Sequence, residues 1–189
     1  MTANALTSLW GQGHFAAQLA HANKMRTREC VDMPGLRNPT ILTPPCIIEA
    51  VLKVWPEGIA LDPCAETGQG AYNVPAAQHI TGETTSGLER RWPYRTYVNP
   101  PFGKLRPWLE KAATCDEVMV LCPVRTHRKW FRLDQFHAVC FLNPLSFVGF
   151  KQAFPAPLCL MYRGSYPALF ARTFHDLGRV CVVEKLQVE

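Results

Sequence analysis

Helix-like and strand-like segments alternate along this chain from residue 43 onward, and that alternation restricts the fold more than any other feature. Thr43 stands where it can cap a helix, with Pro44 at the first helical position. IIEAVLKVW (47–55) follows with apolar residues on one face, and PEG (56–58) ends it. GIALDPCAE (58–66) reads as a short buried strand running into a loop. QHITG (78–82) is a weaker strand and RTYVNPP (95–101) a third. RPWLEKAAT (106–114) reads as a helix with Pro107 near its start, and EVMVLCPV (117–124) as a strongly apolar strand. HRKWFRLDQF (127–136) has helical character, AVCFL (138–142) and LCLMYRG (158–164) are strands, and YPALFARTFHDLG (166–178) is a last helix with Gly178 as its stop. RVCVVEKL (179–186) closes the series as a strand. Such alternation predicts an α/β sandwich: a mostly parallel sheet with helices on both faces. Ligands in such sheets bind beyond the carboxyl ends of the strands.

With 189 residues the chain is long enough for one domain with a full core. Residues 1–37 read as an N-terminal arm, in which the helical spacing of Leu6, Leu9, Trp10, Phe15 and Leu19 is interrupted by Gly11 and Gly13. Residues 38–189 form the folded domain. The formal charge of +5 leans toward a polyanionic partner without establishing one. Eight cysteines, at 30, 46, 64, 115, 122, 140, 159 and 181, have no Cys-x-x-Cys spacing, so no metal site is expected and they read as reduced thiols of a cytoplasmic protein. No run approaches the roughly 18 apolar residues of a membrane span, and the first residues carry no apolar leader.

Two loops stand at expected strand ends: Asp62-Pro63-Cys64-Ala65-Glu66 and Asn99-Pro100-Pro101-Phe102. In the second, each proline fixes its own φ, donates no hydrogen bond and pushes the residue before it toward an extended conformation. The carbonyls of such a segment can point out of the sheet edge. Asn99 adds a side-chain acceptor and Phe102 a flat face. Two converging acceptors beside an aromatic plane suit a planar ligand bearing an NH2 group. Hydrogen bonds from both N–H groups, to Asn99 Oδ1 and the Pro100 carbonyl, favour a more tetrahedral nitrogen and free its lone pair for attack. Stacking on Phe102 contributes about 1–3 kcal/mol, as for nucleic-acid bases on aromatic side chains. The plainer reading of the loop is a strand terminator with Phe102 in the core.

The ordered set ILTPP (41–45), ALDPCAE (60–66), GLERRW (87–92), TYVNPPFG (96–103), VMVLCPVRTHRKWF (118–131), FLNPLSF (141–147) and FPAPLCLMY (154–162) resembles the phage-type, Dam-like DNA adenine methyltransferases. The resemblance implies a Rossmann-like fold using S-adenosylmethionine, acting on the exocyclic amine of adenine flipped out of DNA. It implies an amine pocket at Asn99, Pro100, Pro101 and Phe102. It places the cofactor's methionine part at Asp62 and Cys64 of its loop, with Thr43 and Pro44 beside it and Glu83 near the ribose hydroxyls. A phage-encoded enzyme of this kind works in the host cytoplasm. Two features depart from the family: the glycines after Asp62 come late, at Gly68 and Gly70, and Ser86 precedes Gly87-Leu88 where an acid is frequent. Lys104 and Arg106, just past the NPPF loop, and Arg125, Arg128 and Lys129 beside Trp130 suit phosphates and a displaced base. The plainer reading of 125–130 is a solvated helix face with Trp130 tucked inward.

Rival chemistries share parts of this pattern. Methylation of the cytosine amine, of RNA adenine or of a protein glutamine uses a similar loop. A methylase-like module that binds DNA or a protein without turnover is the alternative from another class. A cytosine carbon-5 methylase needs a Pro-Cys nucleophile; Pro45-Cys46 and Pro63-Cys64 supply the letters, but the NPPF loop already occupies the catalytic slot. A dehydrogenase reading lacks G-x-G-x-x-G after the first strand.

Overall fold

A computed structural model describes residues 42–65, 73–81 and 86–183. The N-terminal arm, Glu66, Gly68, Gly70 and Glu83 lie outside the described residues. Helix α1 spans Pro45–Val54, α2 Ser86–Glu89, α3 Leu105–Ala112 and α4 Pro167–Phe174. The strands are β1 (Ile59–Asp62), β2 (Ala76–His79), β3 (Thr96–Val98), β4 (Val118–Pro123), β5 (Ala138–Leu142), β6 (Leu158–Arg163) and β7 (Gly178–Val182). They form one seven-stranded sheet in the order β2-β1-β3-β4-β6-β5-β7.

The sheet is mixed. The pairs β1–β2, β1–β3 and β3–β4 are parallel. The pairs β4–β6, β5–β6 and β5–β7 are antiparallel. The parallel half holds both motif-bearing loops. The antiparallel half arises because β5 turns back through 143–157 into its neighbour β6 rather than crossing over a face of the sheet.

β4 shows why the sequence carries so long an apolar run. All six of its residues are buried. Val118, Val120 and Cys122 pack on one side with Trp108 and Leu109 of α3, while Met119 and Leu121 pack on the other with α1, Phe170 and Phe174. Alternate side chains of one strand thus enter two cores, each closed by helices. Among the described residues no helix is long and apolar enough to cross a membrane.

Three local expectations change. First, Pro44 occupies the N-cap and Pro45 the first turn of α1, with no side-chain cap. Thr43 is therefore one residue too early to cap, and its hydroxyl is used elsewhere. Second, residues 127–136 do not form an α-helix. Arg128 N–H reaches Arg125 O at 2.8 Å and Phe131 N–H reaches Arg128 O at 2.9 Å, closing successive tight turns. A short 3-10 turn, Leu133–Gln135, follows an extended Arg132. Burial of Phe131 and Phe136 sets this path, overriding the segment's helical propensity. Third, α4 ends at Phe174 and Gly178 opens β7. A Cβ at 178 would lie 2.1 Å from the Phe141 carbonyl oxygen, so the glycine serves close β5–β7 pairing rather than a helix stop.

The seven cysteines among the described residues form no disulfide. Burial pushes the Cys140 thiol up to about 12, and the hydrogen bond with Cys122, reinforced by burial, holds the Cys159 thiol well above its ordinary value. A maleimide or disulfide reagent at pH 8 is expected to leave Cys122, Cys140 and Cys159 unmodified until denaturant is added. Peptide mass mapping before and after unfolding checks this; native labelling at any of the three would contradict the packing.

Candidate active site at the carboxyl edge of the sheet

From β1 the chain moves outward to β2, then returns to place β3 on the other side of β1. The strand order therefore reverses between β1 and β3, the position at which α/β sheets generally take ligands beyond their carboxyl ends. Leu61 pairs with Thr96, so Asp62-Pro63-Cys64 continues in register with Tyr97-Val98-Asn99, and the two segments leave the sheet side by side. The two loops singled out by sequence meet at this switch point.

Asp62 is 5% exposed. Its Oδ1 accepts the Cys64 N–H at 3.0 Å, an Asx turn that tightens the loop. α2 presses against this loop: a Cβ at Gly87 would lie 2.0 Å from the Pro63 carbonyl oxygen and 2.9 Å from the Trp108 ring. The short helix is held in place from behind. Trp92 stacks on Trp108 with centroids 5.9 Å apart, and its Nε1–H donates to the Gly87 carbonyl at 2.8 Å. The Lys111 ammonium donates to the carbonyls of Leu88 (2.7 Å) and Arg90 (2.6 Å), at the carboxyl end of α2. It also sits 5.1 Å from the Trp92 ring centroid. Neither Gly87 nor the Trp92–Trp108–Lys111 clamp was expected as part of the site.

Asn99 is oriented by Thr43. Its Nδ2–H donates to Thr43 Oγ1 at 3.3 Å, and the Tyr97 hydroxyl donates to the same oxygen at 3.3 Å. Thr43 is 1% exposed, and its carbonyl accepts Asn73 Nδ2–H at 2.9 Å. Tyr97 and Asn99 are two residues apart on an extended segment, so both reach the same face. Burial, with the nearby Asp62 charge adding to it, raises the Tyr97 phenol far above its ordinary value despite the Thr43 hydrogen bond. Tyr97 thus stays a neutral donor, and Thr43 joins the first helix to the amide of the NPPF loop.

The two prolines of that loop are not equivalent. The Pro101 carbonyl accepts the Lys104 N–H at 3.0 Å as the chain enters a 3-10 turn, Phe102–Lys104. Among the described residues no donor reaches the carbonyl of buried Pro100. The cause lies in the neighbouring strand. Thr96 N–H donates to Glu117 O at 3.3 Å, and the register runs Thr96–Val118, Tyr97–Met119, Val98–Val120. Continued by one repeat, that ladder gives the carbonyl of residue 100 to the N–H of residue 123. Residue 123 is proline and has none. Buried carbonyls are nearly always paired, so this one is an acceptor held open at the carboxyl edge of the sheet.

Phe102 is half-buried in an aromatic cluster. Its centroid lies 5.4 Å from Phe154, edge to face, and 6.0 Å from Phe147. Both partners come from 143–157, which returns to this edge between β5 and β6. Phe154 N–H bonds to Leu145 O at 2.9 Å, and Leu42 forms a bridge with Val148. The ring's position thus depends on residues 45 and 52 positions further along the chain.

The basic candidates are spread around the same edge. Arg125 follows β4, half-buried, with Nη1 donating to Val124 O at 3.3 Å. Arg128, Lys129 and Lys104 are exposed. Arg106 is exposed but pairs with Glu110 at 2.8 Å, so its charge is partly spent within α3. Trp130 is half-buried, packed edge-on against Phe131 with centroids 6.3 Å apart, which favours the packing role. Cys64 contributes its N–H to Asp62, and Pro44 leads into α1.

No protein-family profile matches the chain, and no curated protein matches it.

Proposed function

We propose that the chain is an S-adenosylmethionine-dependent methyltransferase acting on the exocyclic amine of adenine in DNA, on a Rossmann-like sheet. The observation that carries this reading is the pair of acceptors at the switch point: the Asn99 side chain, set by Thr43, and the Pro100 carbonyl, kept open by Pro123. An NH2 group has two donors to give, and these two acceptors, beside the Phe102 ring, receive them.

The residues present fit the cofactor. Buried Asp62 at the end of β1 offers a carboxylate to its ammonium group, and the Asx turn shapes the loop around it. S-adenosylmethionine supplies an electrophilic methyl group on a sulfonium. The chain supplies position: Asn99 and Pro100 hold the amine, and Phe102 holds the ring plane. No side chain is required as a nucleophile, and the surplus amine proton leaves to water after transfer. Exposed Lys104, Arg128 and Lys129, with Arg125, provide cations for phosphates at the same edge.

Incubation of the chain with unmethylated genomic DNA and S-adenosylmethionine, followed by mass spectrometry of the nucleosides, tests this. N6-methyladenine is the expected product. N4-methylcytosine would move the reading to the cytosine amine, and cofactor binding without any methylated nucleoside would support the non-catalytic module.

Pro123→Ala offers a sharper check. It supplies an N–H aimed at the Pro100 carbonyl, which then competes with the substrate amine. A net hydrogen bond of about 1 kcal/mol corresponds to roughly a fivefold loss of kcat/KM, with cofactor affinity and thermal stability unchanged or improved. Unaltered kinetics in Pro123→Ala would show that this carbonyl does not touch the substrate.

A further inference from the structure

The opposite edge of the sheet, at the amino ends of β1, β3 and β4, carries a second cavity of about 380 Å³, within the size range of small-molecule sites. Glu117 and Arg95 both line it, together with Trp55, Tyr94 and Tyr166. Glu117 is 7% exposed. Its Oε1 accepts Trp55 Nε1–H at 2.8 Å and the Tyr162 hydroxyl at 2.6 Å, while Oε2 has only the Ser165 N–H at 3.4 Å. Among the described residues no cation pairs with this carboxylate. Arg95 lines the same cavity, yet its Nε–H donates to the Gly58 carbonyl at 2.9 Å and, among the described residues, its terminal nitrogens make no hydrogen bond. Arg95 also holds a left-handed backbone (φ 60°), a conformation that non-glycine residues adopt mainly where the surroundings impose it.

Two opposite charges therefore face one cavity without pairing with each other. Buried charges are normally paired, so the buried Glu117 carboxylate points to a missing cation, while half-buried Arg95 leaves its terminal nitrogens for an anion. The rim adds two rings, Tyr94 (62% exposed) and Tyr166 (57% exposed), set to take a flat or aliphatic group. Glu57, also at the rim, is exposed and screened by solvent. We propose that this cavity binds a zwitterionic α-amino acid. Its ammonium meets Glu117 Oε2, its carboxylate meets the free end of Arg95, and its side chain lies between Tyr94 and Tyr166. A ligand with only one charge leaves either Arg95 or Glu117 facing a like or absent partner. The site is separate from the carboxyl edge and does not depend on methyl transfer.

The full chain titrated with L-phenylalanine, phenethylamine (ammonium only) and hydrocinnamate (carboxylate only) tests this. The readout is the Trp55 indole N–H resonance, identified by its loss in Trp55→Phe. L-Phenylalanine is expected to shift it saturably in the millimolar range or below, with each single-charge analogue about tenfold weaker or more. Arg95→Asn, which tolerates the same backbone, should bring L-phenylalanine down to the phenethylamine level and leave phenethylamine unchanged. Tyr166→Ala removes an exposed ring and should weaken all three; it decides the matter if Arg95→Asn does not fold. No saturable shift with L-phenylalanine, equal binding of an analogue, or parental binding in both variants overturns the proposal.

Discussion

Asn99→Ala is expected to lower methyl transfer about 100- to 1,000-fold, the usual effect of removing one preorganised hydrogen-bonding group from a reacting centre. The affinity for S-adenosylmethionine should stay within about twofold, since Asp62 and its turn are untouched. Stability should fall modestly. The substitution removes one half-buried hydrogen bond, Asn99 Nδ2–H to Thr43 Oγ1, for a net loss of about 1 kcal/mol and roughly 2–4 °C in Tm for a chain of this size. Steady-state kinetics, cofactor calorimetry and thermal melting separate the three quantities. A folded variant that loses cofactor binding along with activity would falsify the division between an amine-holding loop and a cofactor-holding loop. Phe102 makes a less clean target than sequence reasoning expects. Its ring packs against Phe147 and Phe154, so Phe102→Ala opens a partly buried cavity and destabilises by about 2–3 kcal/mol. Phe102→Leu retains most of the volume and removes the flat face.

Gly87→Ala is expected to have the largest effect on structure and on cofactor affinity. The added Cβ would meet Pro63 O at 2.0 Å, and that oxygen belongs to backbone. No rotamer change relieves the contact. Either α2 moves away from the Trp92–Trp108 stack or the Asp62-Pro63-Cys64 turn moves. Overpacking of this kind costs about 1–3 kcal/mol, and displacement of the Asp62 carboxylate lowers cofactor affinity by about tenfold or more. Gly103→Ala is the control, because a Cβ there meets nothing within 4 Å. Calorimetric titration with S-adenosylmethionine and a thermal melt of both variants check the contrast. Gly87→Ala that binds and melts like the parent would show that the loop is not fixed by this contact.

The local grammar of the chain was legible because short-range physics sets it. Burial on both faces produces the apolar run of β4, prolines open α1 and α4, and two prolines follow β3 just past Asn99. Residues 127–136 misled because helical propensity is worth only tenths of a kcal/mol per residue, and burial of Phe131 and Phe136 outweighs it. Thr43 misled in a similar way. A Thr-Pro pair reads as a helix cap, but the hydroxyl finds partners at Tyr97 and Asn99, more than fifty residues away.

By itself the sequence determined the α/β class, the succession of most elements and the two loops on which the chemistry is read. These depend on side-chain periodicity and on proline's missing N–H, properties carried by consecutive residues. Only the tertiary structure decided that β6 and β7 run against the rest, and that β1 and β3 are neighbours across a reversal of strand order. It also decided the β3–β4 register, whose continuation brings Pro123 to the Pro100 carbonyl. The physical reason is that strand pairing and register are set by contacts between distant segments, through which shape and hydrogen bonding are satisfied together, and no window of neighbouring residues contains that information.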